Sequence, residues 1–218
     1  LDVVANTAEA MKRYIDFVSS KTSSPFLIDS PHSSTMISAV RYAAEVGLQR
    51  EVIYNSINWR TKNEEIEALR DYKMESTILF TFNEANPTIQ GRLEILRGSE
   101  TIKGLIKSAE EAGVKNILID TCGLDVPDIG PAIKTALIAK EEFACPTGVG
   151  SAAVVDMWNK GRTLPMKVYQ AAIAAGLTVP AAFGLDFILY GPISLAPRVY
   201  HATALLNAFI AYAMKQYG

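Results

Sequence analysis

Short apolar runs that end in polar residues recur along the chain. Residues 51–58 read Glu-Val-Ile-Tyr-Asn-Ser-Ile-Asn, so that an apolar segment gives way to amides and a hydroxyl. The same pattern occurs at residues 26–30, 78–83, 117–121 and 187–191. Continuous apolar runs are typical of parallel strands that are buried on both faces. The pattern therefore predicts buried strands whose polar ends gather at one shared site.

Segments with helical spacing of apolar residues lie between these runs. They predict helices at residues 7–19, 33–47, 64–72 and 100–111, a helix from Pro131 in its first turn to Phe143, and a final helix from Pro197 to Tyr217. Residues 84–98 are interpreted as a long loop, and residues 151–182 give no clear pattern. Seven strands are predicted to begin near residues 1, 26, 52, 77, 116, 145 and 186.

Strands and helices that alternate at this spacing indicate an α/β fold with parallel strands and right-handed crossovers. A doubly wound sheet also fits, but its usual Gly-rich turn after the first strand is absent. We therefore predict a (β/α)8 TIM barrel that occupies residues 1–218 as one domain. A closed barrel needs one more strand, so we expect a first βα unit upstream of Leu1. The site of such a barrel lies at the carboxyl ends of its strands.

Composition narrows the function classes. The chain of 218 residues is 49% hydrophobic and 20% charged, which is ordinary for a soluble globular protein. A net charge of -2 argues against nucleic acid and anionic membranes as partners. The two cysteines lack zinc-site spacing and favour a reducing, cytoplasmic setting.

Four polar residues stand at the ends of predicted strands: Asp29, Asn55, Asn83 and Asp120. Carboxylates supply acceptors, and primary amides supply both donors and acceptors. Such a set suits a flat heterocycle with donor and acceptor edges, such as a pterin, whose N3–H and 2-amino group one carboxylate can accept. Each Asp could instead cap a helix, and each Asn could be a turn residue.

Metal and nucleophile chemistry find little support. The two histidines, His32 and His201, lie far apart in sequence and have no ligand spacing. No Gly-x-Ser-x-Gly elbow occurs, and the lysines fall mainly on predicted helices. We expect no metal site.

Several motifs, taken together and in order, resemble a known family. They are residues 7–18 (TAEAMKRYIDFV), 25–30 (PFLIDS), 54–58 (YNSIN), Phe82-Asn83 with Asn86-Pro-Thr, 118–120 (LID) and 189–193 (LYGPI). The chain resembles the H subunit of tetrahydromethanopterin S-methyltransferase. The resemblance implies a barrel of the pterin-binding methyltransferase superfamily, whose members pass the N5-methyl group of a tetrahydropterin to the cobalt of a corrinoid.

The resemblance also implies roles for individual residues. Asp120 is similar to the carboxylate that grips the pterin's N3 and 2-amino group, and Asp29 and Asn55 resemble other ring contacts. Asn83, Ser56 and Gly148 are expected near the same ring. Asn83 and Ser151 are the candidates for catalysis, Ser151 by ordering a water at N5. The family pattern of an Asn after a Gly-x-Ser turn is replaced here by Gly148-Val-Gly-Ser151.

Partners follow from the same resemblance. No Asp-x-His-x-x-Gly cobalamin loop occurs, so a separate corrinoid protein must carry the cobalt. Further subunits of a membrane-associated complex, a homodimer and a cytoplasmic, peripheral location are expected. Two alternatives stay open: a non-catalytic pterin-binding scaffold subunit and, more distantly, a dihydropteroate synthase-like enzyme. The sequence does not decide between methanopterin and folate as the pterin.

Overall fold

The computed structural model describes residues 1–160 and 163–215, in which strands and helices alternate. The strands are β1 (Asp2–Val4), β2 (Phe26–Asp29), β3 (Val52–Ile57), β4 (Ser76–Phe80), β5 (Asn116–Asp120), β6 (Thr147–Gly150) and β7 (Phe187–Leu189). The helices are α1 (Ala8–Ser19), α2 (Ser33–Glu45), α3 (Asn63–Asp71), α4 (Ile89–Arg97), α5 (Leu105–Glu111), α6 (Val126–Phe143), α7 (Ala152–Asn159), α8 (Met166–Ala182) and α9 (Ala196–Lys215). A 3-10 turn, Ile193–Leu195, precedes α9.

The strands neighbour one another in chain order, from β1 to β7. The β1–β2, β2–β3, β3–β4 and β6–β7 pairs are parallel. The chain divides into two compact units, the first formed by Leu1–Asn86 with Gln90–Ile119 and the second by Pro87–Ile89 with Asp120–Gly218. The assignment of the whole chain to one domain stays a prediction.

Helix α1 shows how the apolar pattern builds the first unit. The Thr7 hydroxyl accepts from the backbone N–H of Ala10 at 3.2 Å and so caps the helix. Met11, Ile15 and Val18 follow at a spacing of four and three residues and are buried. Because this spacing places side chains on one helix face, α1 presents an apolar stripe to the core.

A hydrogen bond between two buried side chains holds the start of α3 against β3. The Tyr54 hydroxyl donates to Glu65 Oε1 at 2.5 Å, and both residues are buried. Glu65 Oε2 also accepts from the backbone N–H of Lys62 at 3.0 Å. Burial, and then the neighbouring Glu65, raise the pKa of the Tyr54 phenol. The first helical turn after β3 is therefore held in place at the end of the strand that carries Asn55.

Three predictions about local structure are wrong. The helix predicted at residues 100–111 begins only at Leu105, after the flanking Gly104. Residues 84–98 are not a long loop, because α4 occupies most of them and buries Leu93, Ile95 and Leu96. The glycine within this helix hid the pattern, yet Gly91 is required there, since a Cβ would lie 2.1 Å from the backbone oxygen of Asn86. A close approach of this kind leaves room for glycine alone.

Helix α6 begins before the predicted first-turn proline. The Asp125 side chain accepts from the backbone N–H of Val126 at 2.6 Å, and Pro127 stands in the first turn. Pro131 therefore lies inside the helix rather than in its first turn. A Gly-Pro pair usually signals a boundary, but the Asp cap and the earlier proline start the helix upstream.

The second unit has its own apolar clusters. Ala132, Ile133 and Ala136 of α6 pack with Val149 of β6 and Leu185. The unclear region 151–182 contains α7 and α8, whose Val155, Ile173 and Leu177 cluster with Val199 of α9. The predicted end of the last helix at Tyr217 lies outside the described residues. Within the described part of the chain, every helix is too short or too polar to span a bilayer.

Candidate functional site

Three polar side chains of the first unit lie on one face of its sheet. Asp29 pairs in register with Val4 on one side and with Asn55 on the other. Residues in register on neighbouring strands share a face, and side chains two residues apart in a strand point the same way. Asp2 therefore shares this face, and its Oδ2 accepts from Asn55 Nδ2 at 3.2 Å. The structure thus brings together two predicted site residues and adds Asp2 to them.

Sequence reasoning missed Asp2. It treated the first residues as an ordinary strand, although Asp2 is a charged residue in an otherwise apolar segment. The signal in the sequence is an acidic residue two positions before the end of a strand. Its importance becomes clear only when the register of the three strands shows that it shares a face with Asp29 and Asn55.

The Asp29 carboxyl holds its proton more tightly than an ordinary Asp. Burial, and next the nearby charge of Asp2, raise its pKa to about 6, and a hydrogen bond from the backbone N–H of Ser30 opposes both effects. Asp29 does not cap the next helix, since α2 begins after His32 without any side-chain cap. The helix-cap alternative therefore does not explain Asp29, and a perturbed carboxyl of this kind is a candidate for ligand binding.

Ser56 takes part in a local loop. The register between β3 and β4 shifts between Asn55 and Ile57, which indicates a bulge at Ser56. Its backbone oxygen accepts from Asn58 Nδ2 at 3.3 Å and from Thr61 Oγ1 at 3.4 Å. A bulge re-aims side chains at the end of a strand. This local role accounts for the position of Ser56, and its contact with a ligand stays a prediction.

Asn83 forms a turn, as one of the alternatives from the sequence allowed. Its Oδ1 accepts from the backbone N–H groups of Ala85 and Asn86 at 3.0 and 3.1 Å. Its Nδ2 donates to the backbone oxygen of Gly91 at 3.4 Å. Because two backbone donors occupy both lone pairs of Oδ1, Asn83 orders the connection to α4. Its roles in binding and catalysis stay predictions.

In the second unit, the carboxylate of Asp120 is buried and held by the backbone. Its Oδ1 accepts from the N–H of Cys122 at 2.8 Å and from the N–H of Gly150 at 3.1 Å. The following helix, α6, is capped by Asp125 instead. Asp120 is therefore not a helix cap. Two bonds saturate the lone pairs of Oδ1 and leave Oδ2 as the oxygen that can accept from a ligand.

Burial also changes the protonation of Asp120. Only 4% of the residue is exposed. This burial raises the pKa of its carboxyl to about 6, against the opposing effect of the two backbone N–H groups. At pH 7 and above the group is mainly ionised, and it becomes protonated below about pH 6. A buried carboxylate with one committed oxygen is well suited to bind a donor-rich edge of a ligand.

The two glycines of β6 have different surroundings. A Cβ on Gly148 would lie 2.4 Å from Cδ2 and 2.5 Å from the backbone oxygen of Phe187. Gly148 therefore allows β6 and β7 to approach closely, which is a packing role that the sequence did not predict. A Cβ on Gly150 would meet only Asp120 Oδ2 and Leu189 Cβ, both at 3.8 Å. Gly150 leaves the space beside Asp120 Oδ2 open.

Ser151 follows Gly150 directly and begins α7. The residue is 1% exposed, and its Oγ has no hydrogen-bond partner among the described residues. It is the N-terminal flanking residue of the helix but makes no capping bond. A buried hydroxyl without a partner costs free energy, so a functional explanation is warranted. The hydroxyl is free to bind a water or a ligand atom.

The structure thus groups the predicted site residues within each unit. Asp29 and Asn55 lie together in the first unit, and Asp120 lies with Gly150, next to Ser151, in the second. Their convergence on one ring stays a prediction. Among residues 1–160 and 163–215, no three His, Cys, Asp or Glu side chains are arranged to hold a metal ion.

A family model described as the tetrahydromethanopterin S-methyltransferase MtrH subunit matches residues 1–218. The chain belongs to the MtrH family. One MtrH relative is the H subunit of tetrahydromethanopterin S-methyltransferase of Methanothermobacter thermautotrophicus, with 35% identity over 97% of this chain and 70% of the relative. The H subunit of the putative methyltransferase mtx of Methanosarcina barkeri is 34% identical over 100% of this chain and 72% of the relative. The resemblance seen in the sequence is confirmed.

Solved structures identify the fold of this MtrH chain. A dihydropteroate synthase of Yersinia pestis superposes with a TM-score of 0.68 and 13% identity, over 97% of this chain and 80% of that one. A dihydropteroate synthase of Xanthomonas albilineans gives a TM-score of 0.58 and 17% identity, over 98% of this chain and 79% of that one. Both are TIM-barrel enzymes, so the predicted barrel class is confirmed. Seven strands, one fewer than in a closed (β/α)8 barrel, are present among the described residues.

Proposed function

We propose that this MtrH chain is a methyltransferase subunit that moves the N5-methyl group of a methyl-tetrahydropterin to or from the cobalt of a corrinoid protein. Membership of the MtrH family makes the chain a methyltransferase subunit. The observation that carries the pterin assignment is Asp120, a buried carboxylate with one oxygen committed to the backbone and the other left for a ligand. Tetrahydromethanopterin is the substrate that the names of the relatives favour.

The recognition chemistry follows from the remaining oxygen of Asp120. The N3–H and 2-amino groups of a pterin are adjacent donors, and Oδ2 has two lone pairs that can accept them. Charge-assisted hydrogen bonds of this kind are stronger than neutral ones, and burial strengthens them further. The backbone bonds to Oδ1 fix the orientation of the carboxylate before the ligand arrives. Asp120 is therefore a pre-organised acceptor.

The other predicted contacts have weaker support. Asp29 and Asn55 are proposed as substrate contacts of the first unit, because the register places them on one face and neither serves as a helix cap. Ser56, Asn83 and Gly148 are kept as predicted contacts, although each has a local structural role. Asp29 and Asn55 offer a ligand acceptors and donors in fixed positions.

When the bond between N5 and the methyl group breaks, N5 is the leaving group and must be stabilised. An N5-methyl amine leaves poorly unless a proton or hydrogen bond stabilises the electron pair that arrives at N5. Ser151 supports such a role, since its buried hydroxyl has no partner among the described residues. We propose that it orders a water that donates to N5. Cobalt(I), when a corrinoid protein supplies it, is the nucleophile that takes the methyl group.

Substitution of Ser151 by Ala should slow transfer more than it weakens binding. Loss of one ordered donor is expected to lower the single-turnover rate about tenfold or more, because one hydrogen bond of about 1.4 kcal/mol corresponds to a factor of ten. The dissociation constant for the methylated pterin should change less than threefold. Stopped-flow absorbance and calorimetric titration measure the two quantities. Equal losses in rate and affinity would contradict a role at N5.

The corrinoid is proposed to arrive on a separate protein. The sequence has no Asp-x-His-x-x-Gly cobalamin loop, and the relatives are named as subunits, which supports further protein partners. We place the chain in the cytoplasm, at the surface of a membrane complex formed by the other subunits. Transfer to a cobalt that a macromolecular partner carries requires that the methyl group be held in line with that cobalt.

We also propose that the chain forms a homodimer through α9. Leu205, Phe209 and Tyr212 are spaced by four and three residues on one helix face and are 57%, 64% and 73% exposed. They expose on the order of 400 Å² of apolar surface. Val168 and Val179 of the neighbouring α8 are exposed as well. A two-fold axis would set this surface against its own copy, where it would supply about half of the roughly 800 Å² per partner of a stable dimer.

Sedimentation equilibrium of the full-length protein tests the dimer. The expected result is twice the mass of one chain at micromolar concentration, and a Phe209→Lys variant should return the mass of one chain. A single-chain mass for the unaltered protein would contradict the dimer and would indicate that another segment or subunit covers the α9 surface.

A calorimetric titration tests the proposed substrate. The full-length protein should bind methyl-tetrahydromethanopterin with one site per chain, and guanosine, which shares the 2-amino-4-oxo pyrimidine edge but lacks the reduced ring, should bind far more weakly. Absence of any binding would contradict the proposal. Binding of the methylated pterin without transfer to cobalt(I) would favour the scaffold alternative.

A further inference from the structure

On the sheet face that carries Asp2, Asp29 and Asn55, one hydrogen bond joins an acidic side chain to an amide side chain among the described residues. It links Asp2 to Asn55. Asp2 Oδ2 lies 3.2 Å from Asn55 Nδ2, and the bond joins β1 to β3 across β2. Because an ionised carboxylate can only accept, it must face the NH₂ end of the amide. The bond therefore determines which end of Asn55 points away from Asp2.

We propose that Asp2 is a positioning residue for substrate recognition, because it holds the Asn55 amide with its carbonyl oxygen, rather than its NH₂ group, available to the substrate. No described residue donates a hydrogen bond to Asn55 Oδ1, so the oxygen is available. Asn55 then recognises an N–H donor of the pterin, and an acceptor at the same place would be rejected. The inference rests on the proposed binding of a pterin at Asn55.

The neighbourhood supports a fixed amide. Asp29, in register with Asn55, offers further acceptors on the same face. An amide free to rotate would turn its NH₂ group toward either carboxylate, and the carbonyl oxygen would then be presented only part of the time. Burial of its carboxyl raises the pKa of Asp2, and the hydrogen bond from Asn55 opposes this rise, because it stabilises the ionised form.

Two substitutions separate the hydrogen bond from the charge. Asp2→Ala removes both, whereas Asp2→Asn keeps a hydrogen-bonding partner for Asn55 but adds an NH₂ group that can donate to Asn55 Oδ1, so that the amide is no longer held in one orientation. We expect Asp2→Ala to weaken binding of methyl-tetrahydromethanopterin about five- to tenfold, as for the loss of one orienting bond. Asp2→Asn should bind with an affinity between those of Asp2→Ala and the unaltered protein, because the Asn55 oxygen then faces the substrate only part of the time, and kcat at saturating substrate should change little in either variant.

A double-mutant cycle tests whether Asp2 acts through Asn55. In an Asn55→Ala background, Asp2→Ala should have no further effect on the dissociation constant, because no amide remains to be positioned. Glu67→Ala, which removes an exposed carboxylate of α3, is the matched control and should leave affinity unchanged. Thermal unfolding of each variant shows whether a loss of affinity reflects a loss of fold.

The outcomes distinguish this inference from the proposed function. If Asn55→Ala weakens binding but Asp2→Ala leaves it unchanged, or if Asp2→Asn binds as tightly as the unaltered protein, the positioning role of the acceptor-only carboxylate is overturned and the pterin site stands. Additive effects in the double variant would equally overturn it. If binding is normal in Asn55→Ala, the proposed substrate contact at Asn55 fails, and the inference fails with it.

Discussion

The Asp120→Asn variant is expected to lose substrate binding while it keeps its fold. Asn retains an oxygen that can accept from the backbone N–H groups of Cys122 and Gly150, but it places NH₂ where Oδ2 stood, so that donor faces donor. Each charge-assisted hydrogen bond contributes about 1.5–3 kcal/mol. Loss of two should therefore weaken binding of methyl-tetrahydromethanopterin at least about hundredfold, as measured by titration calorimetry.

Stability provides the control for this variant. Burial raises the pKa of Asp120 from 3.8 to about 6 in the folded state. The neutral form therefore favours folding below pH 3.8, and this contribution is lost as the pH rises through about 6. At pH 7.5 the ionised carboxylate costs the fold about 3 kcal/mol. Removal of the charge should leave the free energy of unfolding unchanged or higher.

The same pKa predicts the pH dependence of binding in the unaltered protein. If only the ionised carboxylate accepts both pterin donors, affinity should be constant above about pH 7 and fall up to about tenfold per pH unit below pH 6. The Asp120→Asn variant should keep only the weaker dependence that comes from Asp29, whose carboxyl also has a pKa of about 6. A variant that is folded and binds with unchanged affinity would remove Asp120 from the site.

The second large effect distinguishes the two glycines of β6. Gly148→Ala should lower the free energy of unfolding by about 3 kcal/mol, because its Cβ would lie 2.5 Å from the backbone oxygen of Phe187 and force β6 and β7 apart. Gly150→Ala should keep the fold, since its Cβ meets only Asp120 Oδ2 and Leu189 Cβ at 3.8 Å. Urea denaturation compares the two variants.

Substrate affinity should rank the two variants in the opposite order from their stability. The methyl group of Gly150→Ala would stand beside the oxygen that accepts from the substrate, so the dissociation constant should rise about tenfold or more. A destabilised Gly148→Ala protein that still folds at low temperature should bind more tightly than Gly150→Ala. A Gly150→Ala variant with unchanged affinity would show that the ligand does not approach Asp120 Oδ2 from that side.

The strands could be predicted because their cores are continuous apolar runs. Residues 26–29, 52–57 and 116–120 form strands where the pattern indicated them. Their order in the sheet followed from the alternation with helices. The polar strand ends were equally visible, because Asp29 and Asp120 close their strands in sequence and in structure.

What could not be predicted depends on contacts between segments. Helix α4 was hidden because Gly91 suggests a loop, and its need for glycine arises from Asn86. The packing role of Gly148 depends on the approach of Phe187, which lies far along the chain. Asn83 and Asn55 have the same residue type at similar strand ends, yet one forms a turn and the other bonds to Asp2. Only the three-dimensional register separates such cases.

Single-turnover transfer tests the central claim most directly. The full-length protein is mixed in a stopped-flow instrument with methyl-tetrahydromethanopterin and a corrinoid protein reduced to cobalt(I), and the absorbance of methyl-cobalt is followed. We expect one methyl-cobalt per chain, formed far more slowly by the Asp120→Asn variant at the same substrate concentration. Bound methyl-pterin with no methyl-cobalt formed would contradict the assignment of this chain as the subunit that transfers the methyl group.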